Sequence, residues 1–255
     1  MELQTAIFLF VAGTLGGALN AVAGGGSFIA FPALLFSGVP PVPANATNTF
    51  ALWTGVLASG GAYRKRLNVA GRILVPLLLA GLAGGLGGAF LLIHTPAETF
   101  LKVLPWLLLG ATLLFAFGQK VTRRLRAKVF HEATLAAIVL ATVFELAVAI
   151  YGGYFGGGIG IMNLAMLAVL GMTDMHEMNA LKVVLGGVIN GVATVTFVVS
   201  HAVVWPQGLT MTAGAICGGY LSAHYAQKLP QSWVRAFVVA IGAGMTAYFF
   251  LRGYR

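Results

Sequence analysis

The sequence predicts an all-α integral membrane protein with about eight transmembrane helices in two homologous halves, each with a glycine-broken helix. Three observations lead to this prediction. Hydrophobic residues make up 59% of the 255 residues and charged residues only 8%, which is typical of membrane proteins. Apolar runs of about 20 residues, enough to cross ~30 Å of hydrocarbon, recur along the chain. The order and lengths of these runs then repeat.

The apolar runs and the residues between them predict two series of segments. The first series is 4–22, 27–37, 44–63, 71–93 and 97–118, and the second is 132–152, 158–170, 177–200, 206–226 and 232–251. We therefore divide the chain into a first transmembrane repeat at 1–118, a basic linker at 119–131 and a second repeat at 132–255. Internal duplication of this kind is common in transporters, whose substrate site lies where the repeats meet.

The second segment of each series is too short to cross the bilayer alone. It either continues the preceding segment as one long broken helix, which gives parallel repeats, or folds back as a re-entrant arm, which can give inverted repeats. The loop at 201–206 has no Lys or Arg although it matches the basic loop at 64–72, which favours inversion. Arg252 and Arg255 instead favour an even number of spans with a cytoplasmic C-terminus. The sequence leaves both arrangements open.

The positive charge is concentrated between the apolar runs. The net charge is +9, and more than half of the cations lie in two short stretches: Arg64, Lys65, Arg66, Arg72, Lys120, Arg123, Arg124, Arg126 and Lys128. The positive-inside rule predicts that loops 64–72 and 119–131 are cytoplasmic. We therefore interpret these cations as anchors at the cytoplasmic face of a lipid bilayer and exclude nucleic acid as a partner.

The chain shows no sign of a metal site, a disulfide or a cleaved leader. Cys217 is the single cysteine, which excludes a disulfide within the chain and a cysteine cluster. The histidines lack the spacing of metal ligands, and we expect no cofactor. The stretch Ala21-Val22-Ala23 matches a signal-peptidase site, but no Lys or Arg precedes it. We expect this stretch to be retained.

Three consecutive glycines interrupt an apolar run in each half, at Gly24–Gly26 and Gly156–Gly158. Glycine in a helix interior costs ~1 kcal/mol relative to alanine, so each triplet predicts the end of a helix. A backbone broken inside hydrocarbon must face a cavity or a ligand. We expect an apolar helix to restart at Ser27 and near Ile159, with Ser27 as N-cap, and to present free N–H donors that suit an anion. The predicted donors are the backbone N–H groups of Gly25, Gly26, Ser27, Gly157, Gly158 and Ile159.

A set of polar side chains follows each triplet. Asn45 and Asn48 are three residues apart on one helix face, and Asn179 and Lys182 repeat this spacing. We expect Asn45, Thr47, Asn48 and Asn179 to orient an anion. Lys182, an ionisable residue at membrane depth, is by default functional and would neutralise it.

Two other interpretations of Lys182 remain at this point: its amine snorkels to the interface, or it pairs with Glu145. Glu145 lies well inside an apolar run. It is a candidate for carrying a coupling proton or for binding a coupling cation.

The chain resembles the TauE/SafE sulfite exporter family. The resemblance rests on the glycine-rich breaks, on Phe31–Leu35, and on the motifs at Ala44–Asn48 and Met178–Lys182. It covers nearly the whole chain, and it implies a bacterial inner-membrane secondary transporter for sulfite, sulfoacetate or related sulfur-containing organic anions. The second half departs from the first at Lys182, which matches Asn48, so a single asymmetric site is expected.

We expect a transporter rather than an enzyme. The two breaks would meet near mid-membrane around one small anion, and rocking of one half against the other would open the site alternately to each side. The chain has no nucleotide-binding motif, so ion gradients or the membrane potential must supply the energy. The alternatives are an intramembrane hydrolase with Ser27 as nucleophile and a structural membrane-anchoring subunit. The sequence leaves the anion, the coupling ion, the transport direction and the oligomeric state open, with a homodimer as one alternative.

Overall fold

The computed structural model describes residues 1–60, 69–126, 134–172, 174–225 and 231–253. In these ranges the chain is all-helical. The helices are α1 (Leu3–Ala23), α2 (Ser27–Phe36), α3 (Pro41–Gly60), α4 (Gly71–Ile93), α5 (Ala97–Arg126), α6 (Leu135–Tyr154), α7 (Ile159–Val169), α8 (Met175–Val199), α9 (Trp205–Tyr225) and α10 (Gln231–Gly253). They correspond in order to the predicted segments, although α5 continues past the predicted end at 118. The basic residues Arg64, Lys65, Arg66 and Lys128 lie outside the described residues.

Five helices are long and apolar enough to cross a membrane. Their membrane-length stretches are Leu3–Ala21, Gly71–Ile93, Ala97–Gly118, Leu135–Tyr154 and Glu177–Val199. The outward faces of these helices carry large apolar side chains such as Leu79, Phe90, Leu140 and Val195, which are all more than half exposed. Exposed apolar helix faces suit a lipid environment, so the chain is a multi-pass membrane protein.

The short helices α2 and α7 turn back beside the helices that precede them. A Cβ at Gly16 of α1 would lie 3.3 Å from the Cβ of Ala30 in α2. A Cβ at Gly152 of α6 would lie 3.1 Å from the Cγ2 of Ile159 in α7. Neither short helix therefore continues the previous one in a straight line, and each break is a reversal of the chain.

Glycines set the closest helix contacts, between α1 and α9 and between α4 and α6. Gly13 and Gly17 of α1 lie directly against the backbones of Met211 and Ala215 of α9. Because the residue numbers rise together, these two helices are parallel. Small residues let helix backbones approach closely in membranes, where packing rather than water drives association.

The same arrangement joins α4 to α6. Gly84 lies against Ala149, and Gly88 lies against the backbone of Ile150, so α4 and α6 are also parallel. Each of these pairs combines a helix from residues 1–118 with one from residues 132–255, and the two sequence halves are therefore interwoven.

The remaining contacts define two groups of parallel helices. In the first group, α3 runs parallel to α9, since Gly208 faces Thr47 and Gly55 faces Ala215. In the second group, α8 runs parallel to α4, since Gly81 faces Val188 and Gly85 faces Val192. We call α1, α3 and α9 the first bundle, and α4, α6 and α8 the second bundle.

The two bundles run in opposite directions and meet where α3 crosses α8. The direction reverses at the turn between α8 and α9, where the Ala202 N–H donates to the carbonyl of Phe197 at 2.9 Å. At the crossing, the indole Nε1 of Trp53 donates to the carbonyl of Gly187 at 2.9 Å. The separation of these two residues in sequence, 134 positions, equals the offset between Asn45 and Asn179.

The glycine contacts predict which substitutions the fold tolerates. A Cβ at Gly17 would overlap the backbone of Ala215, whereas a Cβ at Gly110 of α5 meets nothing within 4 Å. We expect Gly17→Ala to force α1 and α9 apart at a cost of about 1–3 kcal/mol. Gly110→Ala should be neutral or stabilising, because alanine is the better helix former.

Fluorescence-detected size exclusion after heating of the detergent-solubilised protein checks this prediction. The temperature at which half of the protein is lost from the size-exclusion peak should be lower for Gly17→Ala than for the native chain. For Gly110→Ala this temperature should not be lower. Equal midpoints for both variants would contradict the close packing of α1 on α9.

Candidate anion-binding site

The first break lies between α1 and α2. Gly24 has a φ of 76°, in the left-handed region that glycine adopts without strain, and its N–H donates to the carbonyl of Asn20 at 2.9 Å. The helix restarts at Ser27, as predicted. The prediction that Ser27 is the N-cap is wrong, because Gly26 occupies that position. The Ser27 hydroxyl instead accepts a hydrogen bond from the Asn48 amide at 3.1 Å.

The second break lies between α6 and α7. Gly156 and Gly158 have φ values of 84° and 85°, so two of the three glycines adopt the left-handed conformation. The helix restarts at Ile159, as predicted. The Tyr151 hydroxyl donates to the carbonyl of Gly157 at 2.7 Å. This bond spans the turn and fixes its shape.

The carbonyl groups around both breaks have donors within the protein. The carbonyl oxygens of Gly25, Gly26 and Gly158 accept from N–H groups of the following helical turn. The carbonyl of Gly157 accepts from Tyr151, and that of Tyr154 accepts from the Asn45 amide at 2.9 Å.

The N–H groups at the breaks lack such partners. In the described part of the chain, no acceptor is recorded for the backbone N–H groups of Gly25, Gly26, Ser27, Gly157, Gly158 and Ile159. These are the six predicted donors. The breaks thus leave donors unbonded while their acceptors are occupied, and this imbalance favours a negatively charged ligand.

Both breaks lie against the same stretch of α5. A Cβ at Gly25 would lie 3.1 Å from the ring of Phe115, and a Cβ at Gly157 would lie 3.5 Å from the Cβ of Ala111. Ala111 and Phe115 are four residues apart and therefore lie on one face of α5. Helix α5 thus connects the two breaks at a common level.

The first turns of α3 connect the same two regions. Asn48 binds Ser27 at the first break, and Asn45 binds the Tyr154 carbonyl at the end of α6. Both asparagines are 1% exposed. Thr47 differs, because its hydroxyl accepts the N–H of Val204 at 3.0 Å, in the turn before α9. The Thr47 hydroxyl therefore binds the α8–α9 turn rather than either break.

Lys182 lies beside the start of α7. Its ammonium donates to the Asn179 side chain at 3.1 Å, and its methylene groups pack against Gly160, at 3.3 Å from the position of a Cβ there. The N-terminal end of a helix is itself positive. An ammonium beside it adds a second positive charge, and a negative ligand between them would be bound favourably. The alternative pairing with Glu145 does not occur, since both carboxylate oxygens of Glu145 are buried without a hydrogen-bond partner in the described chain.

One face of α8 lines the second break. Gly186 and Asn190 follow Lys182 at four-residue intervals. A Cβ at Gly186 would meet only Ile159, at 3.9 Å, and the Asn190 Oδ1 lies 3.6 Å from the position of a Cβ at Gly156. Sequence reasoning did not assign Gly186 or Tyr151 to the site. The four-residue spacing from Lys182 was the available signal for Gly186, whereas nothing in the sequence marks the Tyr151 hydroxyl.

No group of three or more His, Cys, Asp and Glu side chains suitable for a metal ion occurs in the described ranges.

An all-helical membrane protein with two interrupted helices and polar backbone at the interruptions has the architecture of secondary transporters. Comparison with known proteins identifies the family. A family model described as "Sulfite exporter TauE/SafE" matches residues 9–249, and the chain belongs to this family. No solved structure matches the chain.

Curated relatives have the corresponding description. A "Probable membrane transporter protein" of Haemophilus influenzae is 29% identical over 94% of this chain and 92% of its own length. "Probable membrane transporter protein ORF9" of a Sinorhizobium species is 27% identical over 93% of this chain and 89% of its own length. "Probable membrane transporter protein YfcA" of Escherichia coli K12 is 24% identical over 94% and 87%. The chain is thus similar over nearly its whole length to proteins described as probable membrane transporters.

The bond from Tyr151 to Gly157 predicts a stability difference between two tyrosines of one helix. Tyr151→Phe leaves the buried Gly157 carbonyl without a donor, which costs about 1–3 kcal/mol. Tyr154→Phe removes a hydroxyl with no recorded hydrogen bond in the described chain. We expect a lower thermal unfolding midpoint for Tyr151→Phe than for Tyr154→Phe, measured by intrinsic fluorescence in detergent. Equal midpoints would show that the hydroxyl does not hold the second break.

Proposed function

We propose that this protein is a secondary transporter that exports small anions, such as sulfite or organosulfonates, across the bacterial inner membrane. The observation that carries the proposal is the imbalance at the two breaks. Their carbonyl groups are bonded within the protein, while the six N–H groups named above have no recorded acceptor in the described chain. Lys182 adds a positive side chain beside one of them. An oxyanion supplies the acceptors and the negative charge that these groups require.

The family and the close packing around the donors support the proposed substrate class. The family name concerns sulfite export. The donors belong to short backbone stretches closely covered by Phe115, Ala111 and Phe155, which suits a compact head group. We therefore propose that the sulfite or sulfonate group binds the backbone N–H groups, Asn48 and Lys182, and that Asn45 and Asn179 hold these groups in position.

We propose inverted repeats with eight full spans, in which α2 and α7 are the short re-entrant helices. If α1 to α5 correspond in order to α6 to α10, the most extensively contacting pairs have counterparts in the other half. The α1–α9 pair corresponds to α6–α4, and the α3–α9 pair corresponds to α8–α4. This correspondence supports the proposed topology. Corresponding helices such as α1 and α6 lie in bundles of opposite direction, which supports opposite orientations of the two repeats in the membrane. The hydrogen bond between Trp53 and Gly187 joins matched positions, as expected near a pseudo-twofold axis.

The interwoven halves change the motion that we propose. Rocking of residues 1–118 against residues 132–255 would have to separate Gly17 from Ala215 and Gly88 from Ile150, where backbones are in direct contact. Rocking of the first bundle against the second preserves both contacts. We propose that alternating access uses this second motion, with the α3–α8 crossing as its pivot.

The membrane potential favours export of an anion, by ~2.3 kcal/mol per 100 mV for each net negative charge. This energy suffices for a transporter without nucleotide hydrolysis. We propose that the basic segments at 64–72 and 119–131 face the cytoplasm.

The hydrolase alternative has no observation in its favour. The Ser27 hydroxyl is bonded to the Asn48 amide, which cannot act as a general base. A structural subunit would not require unpaired donors at two breaks.

Flux measurements test the transport proposal. The purified chain is reconstituted in liposomes loaded with labelled sulfite, a panel of sulfonates or, as comparison anions, carboxylates, and efflux is measured with and without an imposed membrane potential. We expect saturable efflux of sulfite or a sulfonate that accelerates when the outside is positive. Inertness toward every anion would overturn the proposal.

Lys182→Gln tests the proposed binding charge. The substitution removes the ammonium beside the start of α7, and we expect at least a tenfold weaker apparent affinity for the transported anion, which corresponds to ~1.4 kcal/mol. Lys120→Gln is the matched control, because Lys120 is exposed near the end of α5. Unchanged affinity in Lys182→Gln would remove Lys182 from the site.

A further inference from the structure

A buried polar layer near the second break consists of one residue of α6 and one of α7. Glu145 of α6 and Asn163 of α7 are both 0% exposed. The two oxygens of Glu145 and both polar atoms of Asn163 lack hydrogen-bond partners in the described chain. Neither side chain contributes to the proposed anion site, so their burial requires another explanation.

Two apolar clusters enclose this layer. On one side lie Val148, Ala149, Ile159 and Ile189. On the other side lie Ala141, Met166, Leu167, Leu181 and Leu185, with others. Along α6, Glu145 falls between Ala141 and Ala149, and along α7, Asn163 falls between Ile159 and Met166. The carboxyl and the amide therefore occupy the same interval between the two clusters.

An ionised carboxylate is very costly in such surroundings unless a positive charge compensates it. The helices packed against α6 are α4, α7 and α8. Helix α7 has no titratable side chain, α4 has only Arg72 in its first turn, and α8 has His176, Glu177 and Lys182 near its start. The Glu145 oxygens have no hydrogen-bond partner in the described chain, and Lys182 is bonded to Asn179.

We propose that Glu145 is the coupling-proton site of this transporter, and that Asn163 offers its carboxyl a hydrogen-bond partner when α7 shifts. The two side chains are not hydrogen-bonded in the conformation described here. The proton bonds to one carboxylate oxygen when the layer is closed, and passes to water when the layer opens to either side of the membrane. This assignment rests on the proposed transport function. Glu145 and Asn163 together offer three side-chain oxygens, fewer than the six to eight oxygen ligands that Ca²⁺ requires, and a proton needs only one.

The position of the layer suggests how the two sites are coupled. Ile159 is the first residue of α7 and belongs to the apolar cluster between Glu145 and the second break. This cluster separates the proposed anion site from the carboxyl, and α6, which carries Glu145, packs against the same short helix. A shift of α7 on anion binding therefore changes the surroundings of Glu145.

The first half has no such site. Glu145 matches Gly13 in the register that aligns the two triplets, and Gly13 lies directly against the backbone of Met211. In the same register Asn163 matches Phe31, which is fully buried. Each chain thus has one proton site, and only the second half contains it.

Glu145→Gln tests the assignment in proteoliposomes with a trapped pH-sensitive dye. The native chain should move protons when the anion is added, and a pH gradient should drive net anion flux. In Glu145→Gln, the rate of proton movement and the anion flux driven by the pH gradient should each fall at least tenfold. Equimolar anion exchange needs no net proton movement and should persist. Glu98→Gln is the matched control, because Glu98 is exposed in the first turn of α5.

A second measurement does not depend on transport. A carboxylic acid C=O band in the infrared difference spectrum of the native chain after a pH jump should be absent in Glu145→Gln, and shifted in Asn163→Ala. Anion flux in the native chain without proton movement, or driven by a sodium gradient instead, would overturn the proton site and leave the transport proposal intact. Absence of any anion flux or exchange in the native chain would overturn the transport proposal itself.

Discussion

A helix interrupted inside hydrocarbon must find partners for the backbone groups that it exposes, because each unpaired group costs several kcal/mol there. In this protein the carbonyl groups at the breaks have hydrogen-bond donors, whereas the N–H groups have no recorded acceptors in the described chain. Tyr151 and Asn45 donate to carbonyl groups beside the second break, and helical turns bond those next to each triplet. The N–H groups remain. The breaks are therefore electropositive through their backbone as well as through Lys182, and the rest of the site is arranged around this polarity.

The two halves use corresponding positions for different tasks. Asn48 binds the first residue of α2, whereas Lys182 packs along the second residue of α7. Gly13 allows close packing of α1 on α9, whereas Glu145 at the matching place remains buried without a partner. At these matched positions only the second half has ionisable side chains, Glu145 and Lys182. This asymmetry is the basis for our proposal of one anion site and one proton site, rather than two copies of each.

The sequence predicted the helices well because apolar length and glycine punctuation are local signals. It gave the restarts at Ser27 and Ile159 and the all-helical class. It did not predict that Gly26 is the N-cap of α2, because serine is normally the better N-cap. The hydrogen bond from Asn48 to the Ser27 hydroxyl explains why Ser27 does not take that position. It also did not predict the α1–α9 and α4–α6 pairs. These pairs depend on which glycine face contacts which helix, and a single sequence does not contain that information. The predicted contacts of the anion with Asn45, Thr47 and Asn179 remain untested, as does the duplication itself.

The interwoven pairing also governs how the chain is made. Helix α1 enters the membrane first, yet its partner α9 is synthesised near the end, and α4 must likewise wait for α6. Until then the glycine faces of α1 and α4 have only lipid beside them. The first half therefore cannot complete its packing during translation, and the native bundle closes only after α9 has been inserted. A nascent chain arrested before Trp205 would contain the first break but not the helix against which α1 packs.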